Sequence, residues 1–138
     1  MSTTTHEIEP GRLIDLSREV VGLDRSDGRA RIVEQPSGRP PHRIDGVSIG
    51  APMLTQDAPH AGEMHPDGDE LLYLISGAFS VRLELPEGDR TVELATAGDA
   101  IVVPQGVWHL VSLREPGILL HITPGPHGDH RPLGGGPT

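Results

Sequence analysis

Two imidazoles and two carboxylates stand out in a chain that has no cysteine. Glu63 and His65 lie two residues apart in a segment that reads as extended, so their side chains share one face. Pro66-Asp67-Gly68-Asp69 has turn composition, and Glu70 opens the strand that follows. Farther along, Gly98, Pro104, Gly106 and His109 are spaced as G-x5-P-x-G-x2-H, which sets His109 just inside a strand after a Pro/Gly turn. On three neighbouring strands of a barrel these four groups could converge. Such a donor set suits a borderline-to-hard divalent ion better than a soft one.

The elements that must position them read as short strands. Val47, Ile49, Ala51 and Met53 alternate with Ser48, Gly50 and Pro52, giving the period of two expected of a strand. Leu71 to Ile75 is a continuous apolar run, expected to be buried on both faces. Phe79, Val81, Leu83 and Leu85 alternate with Ser80, Arg82 and Glu84, and Pro86-Glu87-Gly88-Asp89 supplies a turn before Val92 and Leu94 resume the pattern. Ala100 to Val103, Val107 to Leu113 and Ile118 to Thr123 are three further strands. Ahead of them, Leu13 to Leu23 fits neither period cleanly and reads as a short helix or an edge strand; Arg31 to Glu34 reads as a brief strand and Pro36 to Pro41 as a loop. The organisation expected is therefore an N-terminal arm with short strands (1–44), a barrel (45–124) and a Gly/Pro-rich C-terminal tail (125–138), the last either loose or laid across a neighbouring subunit.

Composition agrees with this and excludes several classes. With 18 Gly and 14 Pro among 138 residues, the chain is punctuated too often for a helical bundle, and the length supports one core. Twenty Asp+Glu against 11 Lys+Arg leave a formal net charge of -9, which argues against a nucleic-acid or anionic-membrane partner. The absence of Cys excludes disulfides, thiolate metal sites and thiol nucleophiles. No apolar run approaches a membrane span, and the polar start Met1-Ser2-Thr3-Thr4-Thr5 does not read as a signal peptide, so a cytoplasmic location is expected.

The spaced residues resemble the motifs of a known family, the cupins. Gly98, Pro104, Gly106 and His109 match the second cupin motif at each fixed position. His65, Glu70 and Gly77 match the first, H-x-H-x4-E-x6-G, with Glu63 where the first His is expected and Asp57 where a leading Gly is usual. The resemblance covers residues 45–124 and implies an all-β fold with little helix, the double-stranded β-helix or jelly-roll barrel. It also implies one divalent metal ion (Fe, Mn, Ni or Zn) held by Glu63, His65, Glu70 and His109. A Glu in the first position resembles the pattern of some Mn-type cupins; the alternatives for Glu63 are a solvated acid at the barrel rim or a free base. Three His and one Glu would leave a divalent site with one positive charge, whereas this set brings it near neutrality, which weakens Lewis acidity and favours octahedral ions.

Cupins host oxygenases, isomerases, decarboxylases, lyases and non-catalytic sensors, so the resemblance does not by itself choose a reaction. The reading that follows is a metal-dependent enzyme of oxygenase type, dioxygenase-like, acting on a small neutral or mildly polar oxygenated molecule. A metal-dependent lyase or isomerase without oxygen chemistry is the alternative, and a binding or sensor module the third. Glu63, Glu70 and His121 are the candidate proton-moving residues. His121, on an apolar strand, either lines the pocket, faces the surface or is satisfied in the core. His60 could reach the rim as an alternative ligand to Glu63. Tyr73 and Trp108 are expected to pack away from the site, and His127 and His130 to be solvated. A homodimer is expected, on the ground that Val81, Leu83 and Leu85 cannot all fit one small core.

Overall fold

The computed structural model describes residues 8–33 and 44–134. Among them are twelve strands and no α-helix: β1 (Val20–Asp24), β2 (Ala30–Val33), β3 (Gly46–Gly50), β4 (Met53–Leu54), β5 (His60–Met64), β6 (Glu70–Leu74), β7 (Ala78–Leu85), β8 (Gly88–Leu94), β9 (Ala100–Val103), β10 (His109–Glu115), β11 (Gly117–Gly125) and β12 (Asp129–Pro132). Two antiparallel sheets face each other. One runs β2-β1-β3-β11-β6-β9 with β4 beside β11, and the other runs β12-β5-β10-β7-β8. The core lies between them: Leu72, Leu74, Val103 and Leu119 from the first sheet meet Phe79, Val81, Leu83 and Leu94 from the second. The expected all-β sandwich-like barrel is what forms, because alternation places one apolar face per strand inward.

The β7–β8 hairpin turns at Pro86-Glu87, with Leu85 opposite Gly88. At the end of the first motif, Gly77 has a φ of 78°, and a Cβ there would come within 2.6 Å of the Pro116 carbonyl oxygen. The position demands glycine both for its backbone and for the close passage of β11.

Four expectations need correction. Leu71 to Ile75 is not buried on both faces: Leu72 and Leu74 point into the core, while Tyr73 and Ile75 are 40% and 41% exposed. No second layer covers the outer side of this sheet among the described residues, so β6 is an apolar strand with one dry face. The Leu13–Leu23 segment is neither a helix nor an edge strand; only Val20 onward is strand, and β1 lies between β2 and β3. Val81 and Leu83 are 0% and 7% exposed within a single chain, so the crowding invoked for a homodimer is absent. Finally, the Gly/Pro-rich tail is an ordered part of the barrel at 129–132, where β12 pairs with β5 through Asp129–Met64 and His130–Glu63. The loop expected at Pro36 to Pro41 lies outside the described residues, as does Glu34 of the adjoining strand.

Candidate metal centre

Each candidate ligand sits at or next to a strand end. Glu63 is on β5 directly opposite His109 on β10, Glu70 is the first residue of β6 opposite Val103, and His65 follows β5 immediately. The loops of the two motifs are stitched together. Gln105 N donates to Asp69 Oδ1 at 2.8 Å, Gln105 Nε2 to the Pro66 carbonyl at 2.7 Å, and Gly106 N to the His65 carbonyl at 3.0 Å. The Pro/Gly turn before His109 thus docks on the turn after His65 and fixes their separation.

One donor atom from each of Glu63, His65, Glu70 and His109 falls within 4.8 Å of the others. His109 Nε2 is 3.0 Å from Glu70 Oε1 and 4.0 Å from Glu63 Oε2; His65 Nε2 is 3.5 Å from Glu70 Oε2 and 3.7 Å from Glu63 Oε2. The two imidazole rings lie 5.4 Å apart, tilted by 47°. His109 Nδ1 lies 3.3 Å from the Val107 carbonyl, a partner that can hold hydrogen on Nδ1 and leave the Nε2 lone pair to an ion once one is bound.

His65, Glu70 and His109 are buried, and three of their polar atoms have no hydrogen-bond partner: His65 Nδ1, His65 Nε2 and Glu70 Oε1. The 3.0 Å approach of His109 to Oε1 therefore lacks hydrogen-bond alignment and is an electrostatic contact. Buried polar atoms left unpaired are costly, and a cation placed among Nε2 and the carboxylate oxygens would satisfy them. Two neutral imidazoles and two carboxylates compensate a divalent charge. The residues fit one divalent metal ion.

Electrostatics points the same way. Burial opposes ionisation of Glu70, but the His109 and His65 imidazoles outweigh it and hold its carboxyl far below the usual range. Burial likewise opposes charge on Glu63, and His65 and His60 overcome it to lower that pKa. Burial would depress His65, yet Glu63 and Glu70 raise it from 6.5 to about 9. In the metal-free protein, then, His65 carries the compensating positive charge. Its folded pKa lies above the unfolded value, so its stabilisation is complete below pH 6.5 and is lost as pH rises through about 9. Metal uptake needs the neutral ring and must displace that proton. Apparent metal affinity is expected to climb between pH 6.5 and about 9, with proton release below that limit. Calorimetry in buffers of different ionisation enthalpy checks it; an affinity flat across this window counts against the assignment.

The remaining sequence candidates take definite places. His60 is a partner of Glu63 rather than its replacement, with Nε2 3.1 Å from Glu63 Oε1. His121 lines the cavity, of the three positions expected for it, and its pKa is lowered chiefly by burial. Asp57, where a glycine is usual, accepts the Leu113 N–H at 2.7 Å and so ties its loop to β10. His127 is exposed but not simply solvated: its backbone N–H and ring Nδ1 contact the Asp67 carboxylate at 2.6 and 2.8 Å. His130 is exposed, opposite Glu63 in register. Trp108 carries Arg131 at 4.0 Å over its ring, and Arg131 forks onto Glu84 at 2.6 and 3.2 Å, which anchors β12. The sequence reading missed Thr123, whose hydroxyl donates to Glu70 Oε2 at 2.6 Å. The available signal was its spacing of two from His121, which puts both on the inward face of β11.

No family model matches this sequence, and no curated protein matches it either. Solved structures do. Oxalate decarboxylase from Bacillus subtilis, in a study of its Mn(II) centres, aligns at 26% identity over 63% of this chain and 24% of its own, with a TM-score of 0.52. The same enzyme at pH 4.6 aligns at 26% identity over 63% of this chain and 23% of its own, also at 0.52. The chain has the fold of a small cupin domain. This cupin matches only about a quarter of the length of those decarboxylases, as the 24% and 23% coverages state. The similarity carries the barrel and agrees with the His/Glu donor group; the activity of the larger enzymes belongs to them. Among the described residues no helix of this cupin is long and apolar enough to cross a membrane.

Proposed function

We propose that this cupin is a metal-dependent enzyme, of oxygenase type, for a small neutral or mildly polar oxygenated molecule with an apolar body. The observation that carries this is the shape of the site: the four donors open onto a cavity of about 390 Å³. Val20, Val33, Leu54, Leu72, Val111 and Leu119 line it together with the ligand group and His121. A bound divalent ion would supply Lewis-acid polarisation of a ligand oxygen and, if redox-active, a place for dioxygen. The apolar wall would orient the body of the substrate and exclude water from it. Glu63, Glu70 and His121 are the residues assigned to hold or move protons at the cavity's polar end.

Oxalate itself is a poor match. The chain has no Lys, no Arg among the described residues lines the cavity, and the two carboxylates there would cancel the charge of a divalent ion, so a small dianion would find no net positive charge. A lyase or isomerase without oxygen chemistry is the second reading, supported by the likeness to a decarboxylase and by the acid–base groups around the cavity. Metal analysis of protein purified without added metal, paired with oxygen uptake against a panel of small oxygenated molecules, tests both. Metal-dependent oxygen uptake supports the oxygenase; turnover unchanged under nitrogen overturns it in favour of the lyase. Ligand binding with no turnover under either atmosphere assigns the chain to the sensor class.

The same proposal includes a cytoplasmic protein without nucleic-acid partners, in keeping with its net charge of -9, and a homodimer. Support for the dimer is the outer face of β6 and β9, where Tyr73, Ile75 and Val102 are 40%, 41% and 54% exposed. Sedimentation is expected to give twice the 14.7 kDa chain mass, and Val102→Asp to give monomer. A wild-type monomer at micromolar concentration overturns the dimer.

A further inference from the structure

Thr123 is bonded on both sides. Its Oγ1 donates to Glu70 Oε2 at 2.6 Å and lies 2.8 Å from His121 Nδ1. A hydroxyl has a single proton, and here the carboxylate, which can only accept, takes it. The contact with His121 therefore requires the hydrogen to sit on Nδ1. That selects one of the two neutral tautomers of His121 and leaves Nε2 as the ring's accepting nitrogen. The ring's place is set from the other side as well. Gly50 pairs with His121 across β3 and β11, and a Cβ on Gly50 would come 2.8 Å from Nε2. On Glu70, the bond ties down Oε2 and leaves Oε1 as the oxygen without a hydrogen-bond partner, 3.0 Å from His109 Nε2.

We propose that Thr123 is a positioning residue that couples the Glu70 carboxylate to the His121 imidazole. It presents Oε1 of Glu70 to the metal site and holds His121 in its Nδ1–H form. The carboxylate polarises the hydroxyl, and the polarised hydroxyl is a better acceptor for Nδ1–H, so the two bonds strengthen each other. Neither link depends on the reaction catalysed. The inference rests on the metal-centre reading for Glu70 but not on it for His121.

Thr123→Val keeps the shape and strand preference of the side chain while removing the hydroxyl, and Thr123→Ser restores the hydroxyl without the methyl. Two readouts apply. Imidazole ¹⁵N spectra of metal-free, histidine-labelled protein report the His121 tautomer, with His121→Gln identifying the signal. Titration of Mn²⁺ followed by its EPR spectrum reports affinity and ligand field. Thr123→Val is expected to lose the Nδ1–H preference and to weaken Mn²⁺ binding by roughly 10–100-fold, the scale found for partners of metal ligands, with Thr123→Ser near wild type in both. A wild-type tautomer or wild-type Mn²⁺ affinity in Thr123→Val overturns the coupling. Should the wild type bind no Mn²⁺, Zn²⁺, Fe²⁺ or Ni²⁺, the metal reading fails, while the tautomer spectra still decide the Thr123–His121 link. If Thr123→Val does not fold, Thr123→Ala supplies the same comparison.

Discussion

Replacing both His65 and His109 with alanine is expected to strip the protein of essentially all bound divalent metal while leaving its β-sheet circular dichroism largely intact. Glu63 and Glu70 would remain, but two carboxylates without the imidazoles leave half of the donor group missing and a cavity where the rings had been. Folding should survive because the ligands sit at or next to the ends of β5, β6 and β10, away from the packed layer of Leu74, Phe79 and Val81. The cost should fall on Glu70. That carboxylate is 4% exposed, with both imidazoles within 3.5 Å of its oxygens. Losing the partners of a buried charge typically destabilises by about 3–5 kcal/mol, although here the carboxyl can take up a proton and recover part of it. The double variant should therefore melt lower than the metal-free wild type above the usual carboxylate pKa, and the gap should narrow as pH falls and Glu70 protonates. Metal analysis and thermal melts at several pH values read both effects. Stoichiometric metal in the double variant would mean that the ion is held elsewhere.

Most of this site was legible because strand periodicity and motif spacing are local. Alternation placed Phe79, Val81 and Leu83 inward, and the spacing of Gly98, Pro104, Gly106 and His109 placed a turn before a ligand. What the sequence could not express were contacts between segments far apart in the chain. Thr123 reaches Glu70 across 53 positions, and Asp67 reaches His127 across 60. The C-terminal segment looks loose by composition, since Gly and Pro disfavour regular pairing. It is ordered because Asp67, Glu84 and the Trp108 ring hold it from other parts of the chain. The apolar run at β6 misled for a related reason. Hydrophobicity alone does not reveal whether a second layer covers the far side of a sheet.

Glu63 is the chain's departure from the usual first motif, and its replacement separates three roles that the geometry allows. Its Oε2 lies 3.7 Å from His65 Nε2 and 4.0 Å from His109 Nε2, inside the donor group, while Oε1 is 3.1 Å from His60 Nε2. One oxygen is thus available to an ion while the other is held by a neighbouring imidazole, the arrangement expected of a ligand with an orienting partner. As a ligand it lowers the net charge of the site by one unit relative to a histidine. Glu63→His should then restore the common three-histidine set, raise that charge, favour Zn²⁺ or Fe²⁺, and make bound water more acidic. Glu63→Ala should weaken metal binding by roughly 10–100-fold. A free general base would behave differently, since Glu63→Ala would leave metal content unchanged and abolish turnover alone. A rim residue would lose neither, and the 40% exposure of this side chain makes that a real alternative to exclude. Titration of metal into the apo forms of wild type and Glu63→Ala distinguishes the three, because only a ligand moves the binding curve. His60→Ala sharpens the reading. If Oε1 is held by His60 so that Oε2 faces the ion, that variant should shift the same curve in the same direction, by less than Glu63→Ala does. An unshifted curve in Glu63→Ala would remove this residue from the ligand set and leave His65, Glu70 and His109 to hold the metal.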